Sequence, residues 1–252
     1  MNKNFWDEFK RTKPTIVYLT VGFPTYSESV EIAKFLISNG YAQIIEAGIP
    51  FSDPIADGEV IQYSTQVALK NGITIDDVSR FIEELKSFKD IPVFAMGYYN
   101  PIYANLERNL EKLKRSGAEG LIIPDVNIEE VEAISPLLRK YGLLVCGFVA
   151  PNTSEKRMKE IVKRTTGFVY LVSSYGTTGM RDYLNWESLR SIVQKIRNIK
   201  DIPVAIGFGI KSAEMIRKAK EISDGAIIGS AVINAVKSSP NNYFTEIEKI
   251  FR

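Results

Sequence analysis

The sequence predicts a single-domain α/β protein, a (β/α)8 TIM barrel with extra terminal helices that occupies residues 1–252. Three observations predict it. Short apolar runs rich in β-branched residues recur at intervals of roughly 25 to 45 residues, each too short for a helix and too continuous for a strand with one wet face. Segments with helical spacing lie between them, so strand and helix alternate throughout. A length of 252 residues suits one such barrel, and no GxGxxG turn follows the first run, which disfavours a doubly wound open sheet.

Taken in order, Asn4 to Lys10 forms a helix ahead of the first strand, Ile16 to Val21. The second and third strands are Gln43 to Ile49 and Pro92 to Tyr98, the fourth and fifth Gly120 to Asp125 and Leu143 to Val149. The sixth, seventh and eighth are Gly167 to Ser173, Pro203 to Phe208 and Gly225 to Ala231, and Tyr243 to Arg252 is the last helix. Val78, Phe81, Ile82 and Leu85 after Thr74, and Leu106, Leu110 and Leu113 after Asn105, carry the helical spacing. Gly40, Gly72, Gly117 and Gly142 stand where helices stop. Pro136 falls inside the helix after the fourth strand and is expected to kink or delay it. Two longer connections, Pro50 to Thr74 and Ser174 to Trp186, would emerge at the C-terminal face of the strands, where active-site loops gather.

Composition excludes several functions. The 32 basic and 30 acidic residues are scattered, which argues against a nucleic-acid footprint. No apolar run approaches the ~18 residues needed to span a bilayer, and the first residues lack the apolar core of a secretory signal, so a cytoplasmic location is expected. The lone cysteine, Cys146, sits in an apolar run and reads as a small core residue. Histidine is absent, which removes Ser-His triads and His-ligated metals and leaves proton transfer to Asp, Glu, Lys, Tyr or Cys.

Glu46 lies inside an otherwise apolar strand and shares a face with Ile44 and Gly48, so it can point into the barrel. Burial would raise its pKa and suit it to general-acid work; an ion pair with a Lys or Arg is the structural alternative. Asp53, before a proline, reads as a turn residue, and Asp57 is not separable from it by pattern alone. Gly207-Phe208-Gly209-Ile210 and Gly229-Ser230-Ala231, at the ends of the seventh strand and on the eighth, suit a phosphate, or else glycines that relieve crowding. Ser173 to Gly179 can close over a ligand, or serve as an ordinary loop.

Tyr18-Leu19-Thr20-Val21-Gly22, Glu46 to Gly58, Ile123-Pro124-Asp125, Gly176-Thr177-Thr178-Gly179 and Gly207 to Ile210 resemble, in order, the signature segments of tryptophan synthase α subunits. The resemblance implies an enzyme of tryptophan biosynthesis, a lyase that splits indole-3-glycerol phosphate into indole and glyceraldehyde 3-phosphate. It implies that Glu46 moves the protons and that Asp57 stabilises the positive charge arising on the indole nitrogen. It implies a phosphate site at Gly179, Gly209, Gly229 and Ser230, with Thr178 near Asp57, a Tyr170 that hydrogen-bonds Glu46, and an indole pocket of Tyr18, Met96, Tyr98 and Ile123. A pyridoxal-phosphate β subunit is the implied partner, in an αββα heterotetramer, and receives indole from this chain through a tunnel; the cofactor belongs to that partner and none is expected in this chain. Loops Pro50 to Gly58 and Tyr98 to Tyr103 would face it.

Phe23 and Tyr18 depart from the residues familiar at their positions, and the chain is slightly short. An indole-3-glycerol-phosphate synthase would need a catalytic lysine in its strands, and a metal-dependent epimerase would need histidines. The remaining alternative is a non-catalytic sugar-phosphate-binding barrel that activates a partner enzyme.

Overall fold

Each apolar run forms a strand, and the helical segments return the chain so that every recorded strand pair is parallel. The computed structural model describes residues 3–173 and 184–252. The strands are β1 (Thr15–Thr20), β2 (Ile44–Gly48), β3 (Val93–Met96), β4 (Gly120–Ile122), β5 (Leu144–Val145), β6 (Gly147–Val149), β7 (Val169–Val172), β8 (Val204–Gly207) and β9 (Gly225–Ile228). Their order is β5-β4-β3-β2-β1-β9-β8-β7-β6. The two edges of that sheet, β5 and β6, are halves of the predicted fifth strand, interrupted only at Cys146. Cys146 N–H still bonds Leu121 O at 3.1 Å on the β4 side, and Gly147 N–H bonds Phe168 O at 3.4 Å on the β7 side. The chain itself therefore joins the edges, and eight predicted runs make one barrel.

Around it lie α1 (Lys3–Thr12), α2 (Tyr26–Ser38), α3 (Glu59–Lys70), α4 (Ile75–Phe88), α5 (Tyr99–Tyr103), α6 (Leu106–Arg115), α7 (Ile128–Tyr141), α8 (Glu155–Arg164), α9 (Trp186–Ile199), α10 (Ala213–Ile222), α11 (Ser230–Ser238) and α12 (Tyr243–Phe251). Thr74 and Asp77 form a reciprocal capping box at the start of α4. Gly142 ends α7 in the left-handed conformation, at φ 62°, which a side chain would strain.

Four expectations need correction. The connection from Pro50 to Thr74 contains a full helix, α3, and the predicted loop from Tyr98 to Tyr103 is mostly the short helix α5. Pro136 does not delay α7, which starts at Ile128 and runs through it; the proline is exposed, so water can satisfy the carbonyl one turn back that loses its N–H partner. The eighth strand stops at Ile228, because Gly229 is the N-cap of α11, and Ser230 and Ala231 are helical.

Alternation along the strands builds two apolar layers. Val17, Leu19, Ile45, Ala47, Val93, Leu121 and Ile123 pack outward against helices. Ile16, Ile44, Phe94, Met96, Ile122, Phe168, Tyr170 and Ile227 fill the barrel interior. Helix α1 closes the N-terminal end: Phe9 stands 5.3 Å from the Phe168 ring and Phe5 stands 5.8 Å from Phe94, while Trp6 Nε1–H donates to Gly167 O at 2.7 Å. Among the described residues no helix is long and apolar enough to cross a membrane.

Candidate active site

Alternation on β2 sends Ile45 and Ala47 outward, and Ile44 and Glu46 inward. Across the barrel wall Glu46 is in register with Tyr18 on β1 and Phe94 on β3. It is fully buried, and neither carboxyl oxygen has a hydrogen-bond partner among the described residues. No Lys or Arg among the described residues pairs with it, which counts against the ion-pair alternative. Burial alone pushes its pKa up to about 8, so the group is mostly protonated at neutrality.

The loop after β2 separates the two aspartates that pattern left equivalent. Asp53 is exposed, and its carbonyl accepts from Ile55 N–H at 2.9 Å in a turn. Asp57 is half-buried and accepts from the Tyr98 hydroxyl at 2.8 Å, while Ala56 N–H donates to the same hydroxyl at 2.9 Å. Burial raises the Asp57 pKa to about 6, with the Tyr98 bond opposing it. One carboxyl is thus biased toward its acid form and the other toward its anion near pH 7, the separation that acid-base chemistry requires.

Aromatic rings surround the carboxyls. Tyr18 lies over two strand-end glycines: a Cβ at Gly48 would stand 2.5 Å from its hydroxyl oxygen, and one at Gly229 3.0 Å from its Cβ. Tyr170 similarly needs Gly207, where a Cβ would fall 2.6 Å from its ring. Gly48, Gly207 and Gly229 thus relieve crowding against these two rings, which at Gly207 and Gly229 is compatible with an anion site as well. Tyr170 stacks on Phe148 at 4.8 Å and meets Phe208 edge-on at 5.9 Å. Its pKa is raised, by burial first and then by the Glu46 carboxyl, but the expected hydrogen bond between the two is not made, since Glu46 has no partner. Met96 joins the interior cluster. Ile123 does not: it packs outward against the helices, and Ile122 is the residue of β4 that faces inward. Pattern analysis also missed Phe148 and Phe208; alternation from Leu144 through Cys146 would have found Phe148. Cys146 is buried, and burial lifts its thiol pKa, which suits a core residue.

At the C-terminal ends of β8 and β9, Gly209 is exposed at φ 75°, and Phe208 before it is also left-handed, at φ 67°. Ser173 Oγ–H donates to Phe208 O and fixes this turn. Gly229 opens α11, whose first intrahelical bond runs from Ile233 N–H to Gly229 O at 3.1 Å. The N–H groups of Ser230, Ala231 and Val232 lie ahead of the helical ladder, with Ser230 exposed, an arrangement that receives anions. Thr178 and Gly179 lie outside the described residues, as does most of the loop Ser174 to Trp186. Among the described residues no group of three or more Cys, Asp or Glu could hold a metal ion.

Comparison with known proteins adds an independent result. The family model described as tryptophan synthase alpha chain matches residues 7–251. The tryptophan synthase alpha chain of Aquifex aeolicus is 41% identical over 226 residues, 89% of this chain and 86% of that protein. That of Petrotoga mobilis is 39% identical over 245 residues, 97% of this chain and 94% of its own length. Among solved structures, Mycobacterium tuberculosis tryptophan synthase superposes with a TM-score of 0.88 at 28% identity, covering 99% of this chain and 94% of that one. A mutant tryptophan synthase alpha-subunit from Pyrococcus furiosus gives a TM-score of 0.83 at 33% identity, covering 94% and 97%.

Proposed function

The chain belongs to the tryptophan synthase alpha chain family, and from that premise we propose that Glu46 and Asp57 carry the cleavage of indole-3-glycerol phosphate into indole and glyceraldehyde 3-phosphate. The chain is a lyase of tryptophan biosynthesis. The observation that carries the residue assignment is Glu46 itself, a buried carboxyl without a partner among the described residues and with a pKa of about 8. A fold that only bound a sugar phosphate would gain nothing from such a group, which is why the activator reading falls away.

Protonated Glu46 gives its proton to indole C3, which breaks the aromaticity of the ring and leaves positive charge on the ring nitrogen. The Asp57 carboxylate accepts a hydrogen bond from that N–H and stabilises the charge where it develops. The Glu46 carboxylate then takes the proton of the side-chain hydroxyl next to C3, the C–C bond breaks to give the aldehyde, and its electrons restore the indole. Atoms and protons balance, and Glu46 ends as it began.

The Gly209 turn and the α11 N-terminus with Gly229 and Ser230 would hold the phosphate, joined by Gly179, with Thr178 beside Asp57. Tyr18, Met96, Tyr98, Ile122, Phe148 and Tyr170 would line the indole pocket. Residues 1–252 form one catalytic domain in this reading, which acts in the cytoplasm. Family membership implies a β subunit as partner; the αββα heterotetramer, the passage of indole and partner contact through the 50–58 loop and α5 belong to the proposal. Pyridoxal phosphate would stay with that subunit.

The test is indole release from indole-3-glycerol phosphate by the full chain, alone and with a tryptophan synthase β subunit. Glu46→Gln should lose at least ~10²-fold in kcat, the lower range for losing a general acid. Near-wild-type cleavage by that variant would refute the assignment.

A further inference from the structure

Asp57 has to remain an anion in one position, although burial drives it toward the neutral form. Around it stand Tyr18 from β1 and Tyr170 from β7, both of which also face Glu46 from β2, all of them acids, with Tyr98 in direct contact. The Tyr98 phenol is the group that counters burial. Its O–H donates to Asp57 Oδ2 at 2.8 Å and its oxygen accepts from Ala56 N–H at 2.9 Å, so one hydroxyl holds both the carboxylate and the backbone beside it. The ring packs 5.3 Å from Phe51, at the other end of the same loop.

Tyr98 is itself held by the barrel. It is the N-cap of α5, Gly97 N–H bonds Ile122 O at 3.1 Å, and Tyr99 N–H bonds Asp125 Oδ1 at 2.8 Å. The end of β3 is thereby tied to the end of β4, and Tyr98 extends that frame onto a loop that has no strand of its own. The hydrogen bond engages Oδ2 and leaves Oδ1 for a donor from the substrate.

We propose that Tyr98 is a positioning residue of the reaction: its hydroxyl holds the Asp57 carboxylate in place with Oδ1 free for the indole N–H, while its ring keeps its place in the pocket wall. This rests on the role assigned to Asp57 above. A merely structural tether would stabilise the loop without altering the ionisation of Asp57, and the two roles therefore differ in their pH dependence.

The experiment compares full-length wild type, Tyr98→Phe and Asp57→Asn. It reads the Asp57 carboxyl titration by carbon-13 NMR, and kcat and KM for indole release against pH. Phenylalanine keeps the ring on Phe51 and removes only the hydroxyl. The expected result is an Asp57 midpoint raised by about one unit, a kcat lowered about tenfold on the acid side, and a KM within about twofold, because one pKa unit is a tenfold change in the anion fraction below the midpoint. An unmoved midpoint would overturn the proposal. A moved midpoint with an unchanged acid limb would show a bond without consequence for the reaction, and would overturn it too. Wild-type turnover by Asp57→Asn would instead sink the role of Asp57, whatever Tyr98 does.

Discussion

A buried carboxyl is useful in catalysis and harmful to stability, and at Glu46 both effects follow from one pKa. Its value rises from an ordinary 4.5 to about 8 on folding. Between those limits the folded chain keeps a proton that the unfolded chain releases, so stability falls as pH rises from 4.5 through 8 and levels off above. Each pH unit in that window removes a little over ~1 kcal/mol. Glu46→Gln cannot titrate and should lack this slope; urea denaturation at pH 5 and pH 8, in wild type and variant, is the check, and equal slopes would contradict the raised pKa. In the wild-type enzyme kcat/KM should form a bell, with an acid limb near 6, where Asp57 ionises, and an alkaline limb near 8, where Glu46 loses its proton. The sequence made Glu46 legible because a carboxylate inside an apolar strand has few reasons to exist. Asp57 was not legible by pattern, since two aspartates share one loop; the family resemblance singled it out, and in the structure its burial and its contact with Tyr98 separate it from Asp53. Ile123 was misplaced because a three-residue strand leaves its phase undefined until it pairs with its neighbours.

At the scale of elements, the strand ends are where side-chain size is constrained most tightly. Gly48 and Gly207 make room for Tyr18 and Tyr170, so Gly207→Ala forces its Cβ into the Tyr170 ring, 2.6 Å away, beside Glu46. We expect a loss of about 1–3 kcal/mol from overpacking, accompanied by a drop in kcat/KM. Gly40→Ala supplies the contrast: its Cβ would meet nothing within 4 Å, but φ is 70°, so it should lose about 1–2 kcal/mol and leave kinetics unchanged. Thermal melts with steady-state kinetics on both variants separate the two, and equal activity would show that Tyr170 can shift freely. Helices were legible where apolar spacing and caps agreed, as at Thr74 and Gly142. α5 was hidden because five residues cannot display a helical period, and α3 because its buried face carries Ser64 and Thr65 beside Ile61 and Ala68, which breaks the apolar spacing.

At the scale of the whole molecule, eight apolar runs revealed a barrel, but not which end is closed or how. Closure of the wall depends on hydrogen bonds either side of Cys146, and closure of the floor on α1, whose aromatic residues carry no sign of where they will dock. Phe9, 2% exposed, packs on Phe168, which in turn meets Phe94, the register partner of Glu46. One aromatic layer thus separates the floor from the catalytic carboxyl. Phe9→Ala should lose about 3–5 kcal/mol in urea denaturation, the usual result of deleting a buried phenyl ring. The cavity it leaves is lined by Phe5 and Phe168, with Phe94 behind them, and should remain dry, as apolar cavities do. The folded enzyme should therefore keep its alkaline limb at about 8. A limb that moved down toward the ordinary carboxyl range would mean that water reaches Glu46 from below, and that Phe94 and Phe168 do not suffice to keep the general acid protonated without α1.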